Sequence, residues 1–396
     1  MPWRSKPSLT SEEARQLHYQ ALVIDAQQPG ATSGFLFTEK MRTNLEEYVA
    51  RGMSRDEAGL LMAEAVVREI QTSPSAREEY LDIWKKSGVT VACATYSGAE
   101  PISRAFERAV KRIAQAHAIV SALDGEILLV RKSMDIEKAY KEKKHGLVLD
   151  FQDTVAFEDD LDRINLFYNL GVRMVQLTYN LRNLVGDGCT ETYKSGLSTF
   201  GQEVVRRLNN LGILIDVSHC SEQVAWDALE ISKTPIVVSH SCSAALCRHD
   251  RAKSDELAKT IAEHGGFFGV VIIPGFIQEA KEATLEDFCR HVEHLVRVIG
   301  IDHVGIGTDK TGPGPGTESR IPYPETMPRR SLGVFDWSGF RLEEHRLTPE
   351  YHLKGYEDFR DWPNLTVALA QWGFNEEELR KLLGLNFLRI FKEICG

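Results

Sequence analysis

Eight short apolar runs limit what this chain can become. They cover residues 21–25, 89–95, 146–151, 172–178, 213–217, 235–239, 267–273 and 303–307. Most are apolar almost without interruption, as strands buried on both faces of a parallel sheet read. Between them lie stretches with apolar residues at helical spacing. Residues 159–169 place Leu161, Ile164 and Phe167 near one side, and 200–211, 221–231, 253–264 and 285–299 behave likewise. A strand–helix unit repeated eight times predicts an α/β fold of the (β/α)8 TIM-barrel type. An open doubly wound sheet is the competing arrangement, and no GxGxxG follows the first run to support it. The 396 residues fit one large barrel domain, 1–396, with long loops.

Three segments exceed ordinary loop length. Residues 26–86 follow the first strand and include a helical part at 54–69, opened by the capping box Ser54-x-x-Glu57. Residues 182–198 follow the fourth strand. Residues 310–361 follow the eighth, are rich in Gly, Pro and aromatics, and read as a lid. All three leave the C-terminal ends of strands, the face on which barrels build active sites. Surface decoration is the plainer reading of such loops. Gly312-Pro-Gly-Pro-Gly316 reads as a lid hinge, since no helix signal follows to make a phosphate cradle. Residues 376–394 read as a closing helix.

Charge and cysteine usage exclude several classes. Lys plus Arg is 47 against 57 Asp plus Glu, a net charge of −10, which argues against a nucleic-acid partner. The apolar runs are strand-length, short of the ~20 residues that span a bilayer, so no membrane association is expected. The polar start lacks the apolar core of a secretory signal. The seven cysteines are odd in number and scattered, without a CxxC pair, which implies neither a disulfide framework nor a zinc ribbon. Together these features predict a cytoplasmic protein with reduced thiols.

The chemistry concentrates at strand ends. The fifth strand ends in Ser218-His219, the sixth in Ser239-His240 and the eighth in Thr308-Asp309. Two imidazoles and a carboxylate on one rim are a ligand set that suits zinc. Each histidine alone would equally serve as a hydrogen-bonded structural residue. Without metal, Asp309 beside His219 and His240 is a general acid/base set. Asp25, Asp150 or Gln152 could add a ligand, because alternation lets Asp150 and Gln152 share a face. Tyr179 could donate to an oxyanion or simply pack. Asp187, Cys189 and Glu191 read as a glycine turn in preference to a substrate contact, and Cys220 as a buried inert thiol. Arg251 suits a carboxylate clamp. Lys310 reads as a second cation for an anionic substrate or as a side chain reaching solvent.

The stretches Leu177-Thr-Tyr-Asn180, Gly196-Leu-Ser-Thr-Phe-Gly201, Asn210 to His219, Ser239-His-Ser241, His249-Asp-Arg251, Gly265-Gly266 and Gly305-Ile-Gly-Thr-Asp309 resemble, in order, the membrane (renal) dipeptidase family of zinc hydrolases. The resemblance implies an amidohydrolase-type barrel, a homodimer, two zinc ions and hydrolysis of dipeptides. It also implies that His219 and His240 hold the second zinc, that Arg251 binds the substrate carboxylate and that Asp309 handles the proton. Other positions depart from the family. Its His-x-Asp after strand one reads Gln27-Gln28-Pro29, its bridging glutamate reads Gln152, and its carbonyl-polarising histidine is replaced near Tyr179. Two Zn²⁺ ions repel strongly unless a carboxylate bridges them, so a mononuclear site on His219, His240 and Asp309 is the most this set predicts. The expected function is hydrolysis of a small carboxylate-bearing amide or dipeptide, with Gln152 and Lys310 also lining the substrate. A metal-independent lyase, isomerase or hydrolase and a silent ligand-binding homologue are the alternatives.

Overall fold

The computed structural model describes residues 7–31, 33–316 and 320–396. Residues 1–6 of the polar start, residue 32 in the first long segment and 317–319 in the last lie outside the described residues.

Eight parallel strands form a ring: β1 (Ile24–Asp25), β2 (Val91–Ser97), β3 (His145–Phe151), β4 (Val172–Gln176), β5 (Leu214–Asp216), β6 (Val237–Ser241), β7 (Phe267–Val270) and β8 (Val304–Ile306). Each pairs with the next in parallel. The Ala26 N–H donates to Ile306 O at 2.9 Å, which joins β8 back to β1 and excludes the open sheet. The architecture is the (β/α)8 barrel expected from the eight apolar runs. Register shifts fall between Leu149 and Asp150 and between Val238 and Ser241, where bulges re-aim rim side chains.

The barrel interior is filled from below by apolar side chains. Ile24, Cys93, Val148, Met174, Leu214, Val237 and Phe267 form this plug, closed by Phe387, Ile390 and Phe391 of the last helix. Two residues further along four of these strands the same inward positions turn polar: Asp150, Gln176, Asp216 and Ser239, all fully buried. A second, larger apolar core lies between the strands and the surrounding helices.

The helices start where side-chain caps are available. Thr199–Leu211, Glu222–Ile231 and Asp255–Glu263 are capped by Ser198, Ser221 and Ser254, each accepting a backbone N–H three residues on. Gly212, at φ +69°, ends the first of them in a left-handed turn that favours glycine. The first long segment holds three helices, Glu39–Ala50, Arg55–Thr72 and Pro74–Ser87, of which the sequence predicts the second. Both halves of the Ser54–Glu57 capping box form there. Ser54→Ala should cost about 1 kcal/mol, read as a lower urea midpoint with an unchanged slope. The closing helix is α-helical at Glu376–Arg380 and Asn386–Cys395, with a π turn at Lys381–Leu385 between them. There Gly384 packs so close to Leu22 that a Cβ would lie 2.5 Å from its carbonyl oxygen.

An ion network ties the long segments together. Arg330, in the segment after β8, donates to Asp56 Oδ1 at 2.7 Å and to Ala99 O at 3.0 Å. Arg108 grips both oxygens of Asp56 at 3.0 Å and reaches Glu100 at 3.0 Å, and Arg112 meets Glu100 at 2.6 Å. Among the described residues, no helix is long and apolar enough to cross a membrane.

Candidate active site

His219, just beyond β5, and His240, within β6, meet over the polar layer. Their Nε2 atoms are 2.9 Å apart, and both side chains are buried. Hydrogen bonds on the opposite ring nitrogens decide what those Nε2 atoms carry. Asn180 Nδ2 donates to Ser338 O at 2.5 Å, so Oδ1 turns to His219 and accepts its Nδ1–H at 2.6 Å. Ser239 Oγ donates to Asp216 Oδ2 at 2.6 Å and is left to accept from His240 Nδ1 at 2.7 Å. Burial, with Arg251 nearby, holds both imidazoles well below their usual pKa, in the neutral form. Both Nε2 atoms therefore present lone pairs to one another.

Asp309 completes the cluster. Its Oδ2 is 3.9 Å from His240 Nε2, and one ligand atom from each of the three residues lies within 4.8 Å of the others. The residue sits at φ +53°, in the left-handed region, held by its own N–H to Gln27 O at 2.9 Å. Its carboxyl is pushed up to about 8 by burial and by Asp25 and Asp216, against the pull of Arg251 and Gln152. Asp309 Oδ1 has no hydrogen-bond partner. Two facing lone pairs and a carboxylate oxygen, Asp309 Oδ2, 3.9 Å from one of them are a donor set that fits one cation.

Other predicted residues gather around this point. The Tyr179 ring stacks on His219, with centroids 4.1 Å apart, and burial raises its phenol pKa, so the group stays a donor. Arg251, fully buried, donates through Nη1 to Ser218 O and through Nη2 to His240 O at 3.0 Å, leaving Nε without a partner. The Gln152 side chain faces Asp309 and lowers its carboxyl, although Gln152 Nε2 makes no hydrogen bond of ordinary geometry. Lys310 turns away, its ammonium donating to Gly314 O.

Asp25 is not a free ligand. It accepts from Gln27 N, Thr308 N, Thr308 Oγ1 and Trp362 Nε1, which places it in the barrel's closure. Asp187 pairs with Arg182, and Glu191 accepts from Arg182 N at 2.7 Å, as a turn requires. Burial pushes the Cys220 thiol up to about 11, which keeps it inert. Sequence reasoning missed Asn180, Asp216 and Gln176, whose Oε1 accepts from His219 N at 3.2 Å. The one signal for Asp216 was its place two residues before the first Ser-His pair.

A closed parallel barrel with its chemical groups on the C-terminal rim is an amidohydrolase-type frame, and comparison with known proteins narrows the class. The family model described as membrane dipeptidase (peptidase family M19) matches residues 61–324 and 348–395. The dipeptidase tcpJ of Claviceps purpurea is 28% identical over 269 residues, 67% of this chain and 55% of that protein. The chain thus spans little more than half the length of that relative. A crystal structure of an amidohydrolase from Pseudomonas aeruginosa superposes with a TM-score of 0.71 at 28% identity, covering 98% of this chain and 100% of that one. A metallopeptidase from Rhodobacter sphaeroides, liganded with a phosphinate mimic of the dipeptide L-Ala-D-Ala, shares the fold at TM-score 0.69 and 18% identity, over 94% and 99% of the two chains. The chain belongs to the membrane dipeptidase family, peptidase family M19.

Proposed function

We propose that this chain hydrolyses a small carboxylate-bearing amide or dipeptide, with at most one metal ion, zinc, held by His219, His240 and Asp309. The observation that carries the reading is the convergence of two bare imidazole nitrogens and one carboxylate oxygen at a buried point on the barrel rim. A bound zinc ion would supply Lewis acidity and a water of near-neutral pKa.

The chain's own groups supply the rest. Arg251 meets the substrate carboxylate through its free Nε and the second proton on each Nη. Gln152 Nε2 is a further donor toward the substrate, and Lys310 sets the charge of the loop above. Tyr179 donates its phenolic proton to the developing oxyanion. Asp309, poised near neutrality, takes a proton from the attacking water on Oδ1 and returns it to the leaving nitrogen. His219 and His240 hold the geometry through Asn180 and Ser239. We further take the chain to act as one domain, as a homodimer in the cytoplasm, on the sequence readings above.

Metal analysis after purification under zinc supplementation tests the reading. One zinc per chain, lost in His219→Ala and His240→Ala, is the expected result. No bound zinc removes the metal-dependent reaction. In that case turnover abolished by Asp309→Asn supports a metal-independent lyase, isomerase or hydrolase, and the absence of any turnover supports a binding protein.

A further inference from the structure

The reactive groups of the rim are sealed from solvent. His219, His240, Arg251 and Asp309 are each 2% exposed or less. A substrate reaches them only when part of their cover moves. The segment after β8 supplies part of that cover. Its Phe340 ring lies 6.4 Å, centroid to centroid, from both His219 and Tyr179, 6.0 Å from Phe276 and 5.3 Å from His345. The strap that carries it, residues 338–345, hangs between two anchored arginines. Arg330 is held at Asp56 and Ala99, and Arg346 donates to Gly275 O at 2.7 Å and to Arg248 O at 2.8 Å.

Between the anchors the strap meets the barrel loops through Ser338, Gly339 and His345. His345 Nε2 faces Asp250 Oδ2 at 3.2 Å, and the His345 carbonyl accepts from His249 Nε2 at 3.2 Å. Gly339, at φ +70°, sits so close that a Cβ would come within 2.9 Å of Leu181 and Thr190 and 3.0 Å of Asn180. Just ahead of the strap, Leu332, Val334 and Phe335 stand exposed, and local opening begins where so little is packed.

One contact of the strap reaches the chemistry. Asn180 donates its NH2 to Ser338 O at 2.5 Å, and this turns its oxygen to His219 Nδ1 at 2.6 Å. The Cys189 thiol also donates to that oxygen, at 3.3 Å, but a thiol is a weak donor and directs the amide little. Released from Ser338 O, the amide can turn its NH2 toward Nδ1. The His219 proton then sits on Nε2, where it bridges the 2.9 Å to His240 Nε2 and closes both lone pairs to a cation.

We infer that Ser338 and Asn180 make the strap a switch on His219. With residues 338–345 docked, the imidazole keeps its proton on Nδ1 and offers Nε2. With the strap lifted, it is free to bond His240 instead. Asn180 and the Ser338 carbonyl are thus positioning groups, and the ligand pair is completed only as the cover comes down. The inference rests on the reading of His219 and His240 as metal ligands and adds the device that readies them.

NMR shifts of the His219 ring nitrogens in zinc-free protein, with hydrogen exchange of residues 338–345, test it. Wild type should show the Nδ1–H tautomer. Gly339→Val puts a branched side chain at a left-handed position with no room for a Cβ. It should speed exchange in the strap, populate the Nε2–H tautomer and weaken zinc binding by about 10–100-fold in chelator competition. Adding Asn180→Asp should restore the Nδ1–H tautomer and the zinc affinity while the strap stays lifted, because a carboxylate accepts from Nδ1 whichever way it is turned. A strap that only packs would not be rescued in this way. An Nε2–H tautomer in wild type, a tautomer unmoved while exchange shows the strap lifted, or an affinity that Asn180→Asp fails to recover would overturn the inference. Should Gly339→Val not fold, His345→Ala, which removes the Asp250 contact, takes its place in the same comparison, and a strap that neither change loosens overturns it too. Absence of zinc binding by wild type would sink the metal reading and leave the tautomer to decide the switch. Zinc bound with a tautomer indifferent to the strap would do the reverse.

Discussion

Asp309→Asn is expected to lower turnover of the cognate amide by about 10²–10⁴-fold while substrate still binds. Asparagine keeps the shape at the end of β8 but cannot take a proton. The same change should alter stability in a pH-dependent way. In chelator-treated protein Asp309 is pushed up to about 8 from an ordinary 3.8. The folded chain keeps this proton over a range in which the unfolded chain has released it. Its contribution is therefore fully present below an unfolded value of 3.8 and is lost as pH rises through about 8. Asp25 and Asp153, each pushed up to about 6 by burial, lose their contributions earlier in the same direction. These three carboxyls take stability away as pH rises, whereas buried His18, His249 and His291, held below an ordinary 6.5, add it on the way up to that value, so the difference between the two proteins is what reports Asp309: Asp309→Asn should be the more stable protein at the alkaline end. Thermal midpoints across that range check the sign, and a variant less stable than wild type near pH 8 would contradict the buried, proton-holding carboxyl.

Asp216→Ala is expected to cost about 4 kcal/mol or more. Four buried donors lose their acceptor together, and each orphaned group costs about 1–3 kcal/mol. Denaturant unfolding measures that loss. Asp216→Asn separates fold from function. It keeps an oxygen for some of the donors, yet it no longer aligns Ser239, whose hydroxyl sets the tautomer of His240. Zinc affinity should then fall by about 10–100-fold, as when a carboxylate behind a metal-binding histidine is removed. Competition with a chromogenic chelator reads this directly. An unchanged affinity would mean that the tautomer of His240 is set elsewhere.

The barrel was legible because burial on both faces leaves a mark that no turn or loop imitates. All seven positions of His145–Phe151 are buried, and between His145 and Asp150 the run Gly146–Leu149 carries no polar side chain. The three-residue strand Ile127–Leu129 is half-exposed and carries no such mark, and the ribbon pairing Glu282–Thr284 with His352–Lys354 joins segments far apart in sequence. At the site, His219, His240 and Asp309 were legible from their places at strand ends. Asn180 was not, because its role comes from an amide turned by Ser338, a residue on a distant loop. Lys310 follows Asp309 in sequence but not in direction, since the left-handed backbone at Asp309 precedes a side chain that ends on Gly314.

The contact of Arg330 with Asp56 and Ala99 carries a practical consequence for anyone recombining relatives of this chain. Residues 26–86 and 310–361 hold opposite halves of one charge-balanced joint, with Arg108 as the barrel's own share. Transplanting either segment alone would strand a buried charge at the seam, so the two must travel as a matched pair, and pocket shape in this lineage should evolve in paired steps.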